Sequence, residues 1–338
     1  MNRFFRTNSL IDEVSATTKK RRFFTVALIF LLVYMIGNLV ASTLLSFPIA
    51  SVVMNDPEIA ELMNSNLSSA ELSERLNEVM LRVSENLPDW LTAASLYATV
   101  ATIVATLFYC LKLEKRRAFT LGFIKKGAVI EYACGLGIGL LLFSAAYGIS
   151  LLSGELTFNG FNYEASIGSI LFFFFGFIIQ GASEEILIRS YFFVSTAANS
   201  NVLLAILSSS GLFAALHLGN PGISFLAIIN LFLFGIFAAI YFLRRGSIWG
   251  ICAIHSIWNF AQGNIFGCRV SGLPIDSALF VTTENGRTLW SGGAFGPEGG
   301  LGVTVVLLIA IGIVTFMKNK ERDGFYLRKA ADAKSMFY

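Results

Sequence analysis

The residues able to do chemistry are few, and they stand where they are costly. Glu184, Glu185 and Arg189 interrupt the apolar run LFFFFGFII, and both histidines of the chain, His217 and His255, fall inside apolar segments. An ionisable group at the middle of a membrane helix costs about 2.5–3.5 kcal/mol on insertion-based scales. Three together must face protein or water. Glu185 and Arg189 are four apart, so on a helix they share a face and can neutralise each other. Glu184 lies about 100° round the axis, in line with Gln180 and Gly176, and is left as the carboxylate without an obvious local partner. His255 and Asn259 share a face in the same way, with Gln262 one turn further on, and His217 follows Phe213 by four. A carboxylate, two imidazoles and a carboxamide from three helices can supply what peptide hydrolysis needs. A base takes a proton from water, donors stabilise the oxyanion, and an acid protonates the leaving amine. Each residue alone has a plainer role, as interhelical hydrogen-bonder, ionic clamp or helix glue. The combination is what points to a functional site.

The elements that must position these residues are membrane helices. The chain of 338 residues is 55% hydrophobic and 14% charged, with 32 Phe and a mean hydropathy of +0.68, which excludes an ordinary soluble composition. Apolar stretches of about 20 residues read as spans. The expected fold is all-α, a polytopic membrane helix bundle of about eight transmembrane helices, at about 23–46, 92–111, 127–152, 167–192, 202–218, 223–243, 247–266 and 301–317. Ala133, Gly135, Gly137 and Gly139 in the third would permit close helix packing. The net charge of +3 is small and its basic residues sit in loops, so nucleic acid is not an expected partner. Cys110, Cys134, Cys252 and Cys268 show no CxxC spacing and read as packing residues, not as a disulfide framework or zinc ribbon.

Between the first two spans, residues 51–91 carry eight acidic residues against Arg75 and Arg82. Leu72, Leu76, Met80 and Val83 recur at helical spacing, and Ser68-Ser69-Ala70-Glu71 resembles a helix start, which predicts a short amphipathic helix outside the bilayer. The basic loop at 112–126, Arg244-Arg245 and Lys318-Lys320 fall on the side of the basic N-terminal tail. By the positive-inside rule both termini are expected in the cytoplasm. The first span reads as an uncleaved anchor. The resulting division is a cytoplasmic tail at 1–22, N-terminal transmembrane helices at 23–157 with the extracytoplasmic acidic segment, a catalytic transmembrane core at 158–318, and a cytoplasmic tail at 319–338. No internal repeat of the transporter kind is visible. The Gly-rich stretch at 267–300 reads as a flexible connector, with a lid or substrate clamp as the alternative.

Three motifs then occur in order over about residues 170–262: EExxxR at Glu184, Glu185 and Arg189, FxxxH at Phe213 and His217, and HxxxN at His255 and Asn259. In these the chain resembles the CPBP family of intramembrane endopeptidases, which includes the type II CAAX prenyl protease and bacterial bacteriocin-immunity and abortive-infection-like membrane proteins. The resemblance implies Glu184 as the base activating water with help from His217, His255 and Asn259 as oxyanion or substrate-binding groups, Glu185 with Arg189 as a supporting pair, and Phe213 as a packing residue. Ile188 and Ser190 depart from the aromatic and Gly that many bacterial members carry there. No HExxH is present, so metal-free chemistry is expected, with zinc on Glu184, His217 and His255 as the alternative. The implied partners are the lipid bilayer and a peptide or protein substrate, lipidated in one variant, in a bacterial cell membrane. Small peptides such as bacteriocins or signalling peptides fit the relatives better than CAAX cleavage. The rival readings are a non-catalytic immunity or scaffold protein with the same bundle and a proton-coupled transporter. The span boundaries set one condition. They put Glu184 and His255 toward the cytoplasmic half and His217 nearer the outer end, so the site forms only if the helices bring these depths together.

Overall fold

The computed structural model describes residues 7–65, 67–85 and 87–317. The predicted C-terminal tail, with Lys318 and Lys320, and the first six residues lie outside the described residues. In chain order the helices are α1 (Ser9–Thr17), α2 (Phe23–Met54), α3 (Pro57–Met63), α4 (Ser69–Glu85), α5 (Asp89–Ala98), α6 (Val100–Phe108), α7 (Ala128–Leu152), α8 (Ile167–Glu185), α9 (Val194–Asn199), α10 (Val202–Leu216), α11 (Phe225–Arg245), α12 (Trp249–Phe260) and α13 (Leu301–Phe316). Among the described residues, five rods are long and apolar enough to cross a membrane: 23–54, 89–113, 128–152, 167–199 and 225–245. α10 and α13 are apolar but shorter, and α12 is extended by a π-helical turn at Ala261–Ile265. Each of the eight predicted spans is thus a helix, and together they form a polytopic helical membrane bundle.

Glycine sets the closest approaches. A Cβ on Gly135 would stand 2.4 Å from the carbonyl oxygen of Gly250, and one on Gly139 2.5 Å from that of Ile254. These two, four apart, are the seam between α7 and α12, whereas Gly137 meets nothing within 4 Å. On the other flank of α12, a Cβ on Gly181 of α8 would stand 2.7 Å from the Ser256 hydroxyl. α12 is therefore clasped between α7 and α8, which fixes its buried His255 against the acidic pair.

Other features depart from the sequence reading. The N-terminal stretch is not a plain polar tail. It holds α1, capped by the Asn8 side chain accepting from the Ile11 N–H at 3.3 Å, with Leu10, Ile11 and Val14 buried. The acidic segment forms two helices, and the Ser68–Glu71 start is a capping box: Glu71 accepts from the Ser68 N–H at 3.1 Å and from its hydroxyl at 2.6 Å. Its apolar seam uses Val79 and Val83 packed against Ile59 of α3, while Met80 is exposed. The bundle also carries a small antiparallel sheet that an all-helical reading omits, β1 (Leu156–Phe161) with β2 (Phe280–Glu284), pairing Thr157 with Thr283 and Phe161 with Phe280. The Gly-rich stretch is packed rather than a loose connector, with Phe295 and Gly296 through Gly300 buried. Cys110, Cys252 and Cys268 are buried and Cys134 is exposed, all four as free thiols.

Candidate active site

Glu184, His217 and His255 meet. Glu184 Oε2 lies 4.0 Å from His217 Nε2 and 4.0 Å from His255 Nε2. The depth mismatch expected from the span boundaries disappears because the fourth span does not stop near residue 192. It runs on through a π-helical stretch, Ile186–Phe193, and α9 to Asn199 before α10 starts at Val202. Glu184 and His217 then stand on opposite arms of one helical hairpin, each about 15 residues, roughly 22 Å of helix, from the same turn. Equal distances from a shared turn put them level.

Each side chain is oriented by a partner. His217 caps the C-terminus of α10, and its Nδ1 lies 2.7 Å from the Phe213 carbonyl oxygen. A carbonyl only accepts, so Nδ1 carries the proton and Nε2 faces Glu184 with its lone pair when the ring is neutral. His255 Nδ1 lies 3.0 Å from Glu185 Oε1, which fixes the same tautomer through a carboxylate. Glu185 in turn is 3.1 Å from Arg189 Nε through its other oxygen, with both side chains fully buried. The Arg189 guanidinium lies over the Phe213 ring at 5.5 Å, and that ring is 4.8 Å from His217 and 5.7 Å from His255. The predicted supporting trio of Glu185, Arg189 and Phe213 thus forms one stack behind the two imidazoles.

Glu184 does have a local partner. Gln180, one turn earlier, donates from Nε2 to Glu184 Oε1 at 2.5 Å and accepts from Asn259 Nδ2 at 3.0 Å. Gln180 therefore links Glu184 on α8 to Asn259 on α12. The sequence had placed it on the Glu184 face, and that i, i+4 spacing was the signal. Glu184 Oε2 makes no hydrogen bond although little of it is open. Gln262 is not in the site. Its Nε2 donates to the Arg269 carbonyl at 2.6 Å, because the π-helical turn starting at Ala261 breaks the 3.6-residue phase that would have aligned it with His255 and Asn259.

Glu184, His217 and His255 all line a cavity of about 430 Å³. Its walls are largely apolar, with Phe173 and Phe177 of α8, Phe234 of α11 and Leu307 of α13, and Asn230 and Glu298 add polar groups that the sequence reading did not single out. A separation of 4.0 Å between Glu184 Oε2 and either Nε2 atom is one that a water about 2.8 Å from both atoms of the pair would bridge. Two ligands of one tetrahedral zinc, at bonds of about 2.0–2.1 Å, stand only ~3.3 Å apart. The 4.0 Å spacings do not fit that arrangement, and among the described residues no group of three or more His, Cys, Asp or Glu has metal-binding geometry.

A family model described as "Type II CAAX prenyl endopeptidase Rce1-like" matches residues 166–261. The match covers under a third of the chain, from the start of α8 to the end of α12. All seven residues of the three motifs lie within it, so it coincides with the resemblance drawn from those motifs. No curated protein matches the chain, and no solved structure matches it.

Proposed function

We propose that this protein is an intramembrane endopeptidase in which Glu184 activates a water molecule for attack on a peptide bond. The observation that carries the reading is the convergence of Glu184 Oε2 with the two Nε2 atoms at 4.0 Å each, on the wall of an apolar cavity. The match to a model of type II CAAX prenyl endopeptidases supports the reaction class.

In this scheme a water held between the three atoms gives its proton to Glu184 as it attacks the scissile carbonyl. Gln180 holds the other carboxylate oxygen and so fixes the direction of the free one. His217, its Nδ1 proton committed to the Phe213 carbonyl, accepts a hydrogen bond from the same water. The developing oxyanion is met by the Asn259 amide, whose second N–H is not used by Gln180, and by His255. His255 presents an Nε2–H when it is imidazolium, with Glu185 as its counter-charge. The proton on Glu184 passes to the leaving amine. No step is routed through a metal. The substrate class that suits the apolar walls is a membrane-associated peptide or a protein segment, with or without a lipid chain, in a bacterial membrane with both termini of the enzyme in the cytoplasm.

The test compares membrane and secreted peptides by mass spectrometry in cells expressing the wild type or Glu184→Gln at matched levels. Defined peptides found with the wild type only support hydrolysis, and their ends identify the substrate. Identical peptide profiles, with the mutant keeping the wild-type phenotype, would move the bundle to the non-catalytic binding role. Once a substrate is known, activity is expected to survive 1,10-phenanthroline. Loss of activity that is restored by zinc would overturn the metal-free scheme.

A further inference from the structure

The Gly-rich stretch before α13 brings a second carboxylate into the wall of the cavity that holds Glu184. Glu298 is 8% exposed, and hydrolysis at Glu184 gives it no task. Its main chain is fixed: the buried Asn230 donates to the Glu298 carbonyl at 2.7 Å and to that of Gly300 at 2.9 Å, and accepts from the Thr304 hydroxyl at 2.7 Å. Its side chain is held by one oxygen. Oε2 accepts from the Ser271 N–H at 2.9 Å and from its hydroxyl at 2.7 Å. Ser271 is held at φ 48° to make both bonds, a left-handed conformation that is strained for a residue other than glycine. Oε1 makes no hydrogen bond and is not sealed off by protein. Among the described residues Glu298 is in no ion pair; the His255 imidazole, across the same cavity, feels its charge only at a distance. A carboxylate this deep is costly unless a counter-charge reaches it.

Charge elsewhere points the same way. The acidic segment at 51–91 ends at Asp89, which accepts from the Ser277 N–H at 2.8 Å. The acidic excess is thereby tied to the same stretch of chain, 267–300, that carries Glu298. An excess of one sign near a cleft raises the local concentration of ions of the other sign.

We propose that Glu298 sets substrate specificity by binding a Lys or Arg side chain of the peptide held in the cavity. This rests on the peptide-hydrolase reading of that cavity. The cation supplies the ion pair at close range that Glu298 lacks among the described residues, and Ser271 keeps the carboxylate aimed at it.

Binding tests the idea without depending on cleavage. Purified Glu184→Gln protein in phosphatidylcholine nanodiscs is titrated against fluorescein-labelled apolar octapeptides that carry one Lys or one norleucine, moved through every position, and anisotropy is read. At one position the Lys peptide is expected to bind roughly tenfold tighter than its norleucine twin, as for a hydrogen bond to a charged group. Adding Glu298→Gln, which keeps an oxygen for Ser271 and the side-chain volume, should bring that ratio to about one while norleucine peptides bind as before. Absence of a Lys preference at every position, absence of binding by either set, or a preference that survives Glu298→Gln would each overturn the proposal. Failure of the hydrolase reading itself shows separately, in the peptide comparison with the wild type.

Discussion

Replacing Glu185 by Leu separates the two tasks the structure gives that residue. Glu185 and Arg189 are both fully buried and 3.1 Å apart, and no guanidinium nitrogen makes a hydrogen bond. At an effective dielectric constant near 20, two unit charges at that distance attract by about 5 kcal/mol. Removing one partner of a buried pair costs about 3–5 kcal/mol in general, because the other charge is left uncompensated. Glu185→Leu and Arg189→Met should therefore each lower the unfolding free energy by roughly that amount. The double variant should lose far less, with a coupling above about 2 kcal/mol. SDS-titrated unfolding in mixed micelles measures this, with Trp249 and Trp258 of α12 as fluorescent reporters. Hydrolysis should behave differently. The double variant regains stability but leaves His255 Nδ1 without the carboxylate that fixes its tautomer, so its kcat should stay at least about tenfold down. A coupling under about 0.5 kcal/mol would refute the buried ion pair. Activity that returns along with stability would refute the orienting role.

Three further outcomes follow from particular contacts. Gly139→Val would set a Cβ 2.4 Å from Ile257 Cγ2 and 2.5 Å from the Ile254 carbonyl, so it should cost about 1–3 kcal/mol in the same unfolding assay. Gly137→Ala, two residues away in open space, should stay within about 0.5 kcal/mol of the wild type. Gln180→Leu removes the donor to Glu184 and the acceptor of Asn259, so kcat should fall by roughly 10–100-fold at unchanged protein level; an unaltered kcat would remove Gln180 from the site. At the start of α4, the Ser68 hydroxyl and then the Ser68 N–H hold the Glu71 carboxyl below its usual value. A carboxyl depressed in the folded state stabilises above its unfolded pKa, near 4.3, and that contribution is lost as pH falls through the lower folded value. The hydrogen-exchange protection factor in the first turn of α4, taken against the intrinsic rate at each pH, should therefore fall in the wild type as pH drops through that lowered value, and Glu71→Ala should lack that pH dependence.

Much of the site was legible because it follows helical arithmetic. Glu185 with Arg189, Phe213 with His217, and Gln180 with Glu184 are all four apart, and each pair touches as that spacing implies. The helical membrane bundle was legible too, since apolar length alone marks a helix in lipid, although five of the eight expected spans lie in rods long and apolar enough to cross. What hid was set by other parts of the chain. The clasp on α12 was half visible: small residues at 133–139 announced close packing, but only the partner's position shows that Gly135 and Gly139 make the seam while Gly137 does not. Glu298 gave no signal, because its place depends on Asn230, 68 residues earlier, and on a turn at Ser271. Polar residues in a Gly-rich stretch read as solvated when no periodicity ties them to a face.

The course of the backbone just behind the site residues explains both the misplaced depth of His217 and the departure of Gln262. Two π-helical stretches start just after site residues, Ile186–Phe193 behind Glu184 and Glu185, and Ala261–Ile265 behind Asn259. A π turn widens the helix and shifts the phase of all that follows. Residues before it obey the regular spacing that links Gln180 to Glu184 and His255 to Asn259, whereas Gln262 after it turns away to the Arg269 carbonyl. The same stretch at 186–193 carries the helix unbroken to Asn199, and that extension makes the hairpin arms equal and sets His217 level with Glu184. Reading the fourth span as ending where its hydropathy fell shortened one arm by several residues. The error in depth thus came from where the span was ended, and the error over Gln262 from a shift of helical phase. Regular helical phase still pairs Glu185 with Arg189 inside the first π-helical stretch and fails at Gln262 in the second, directly behind Asn259.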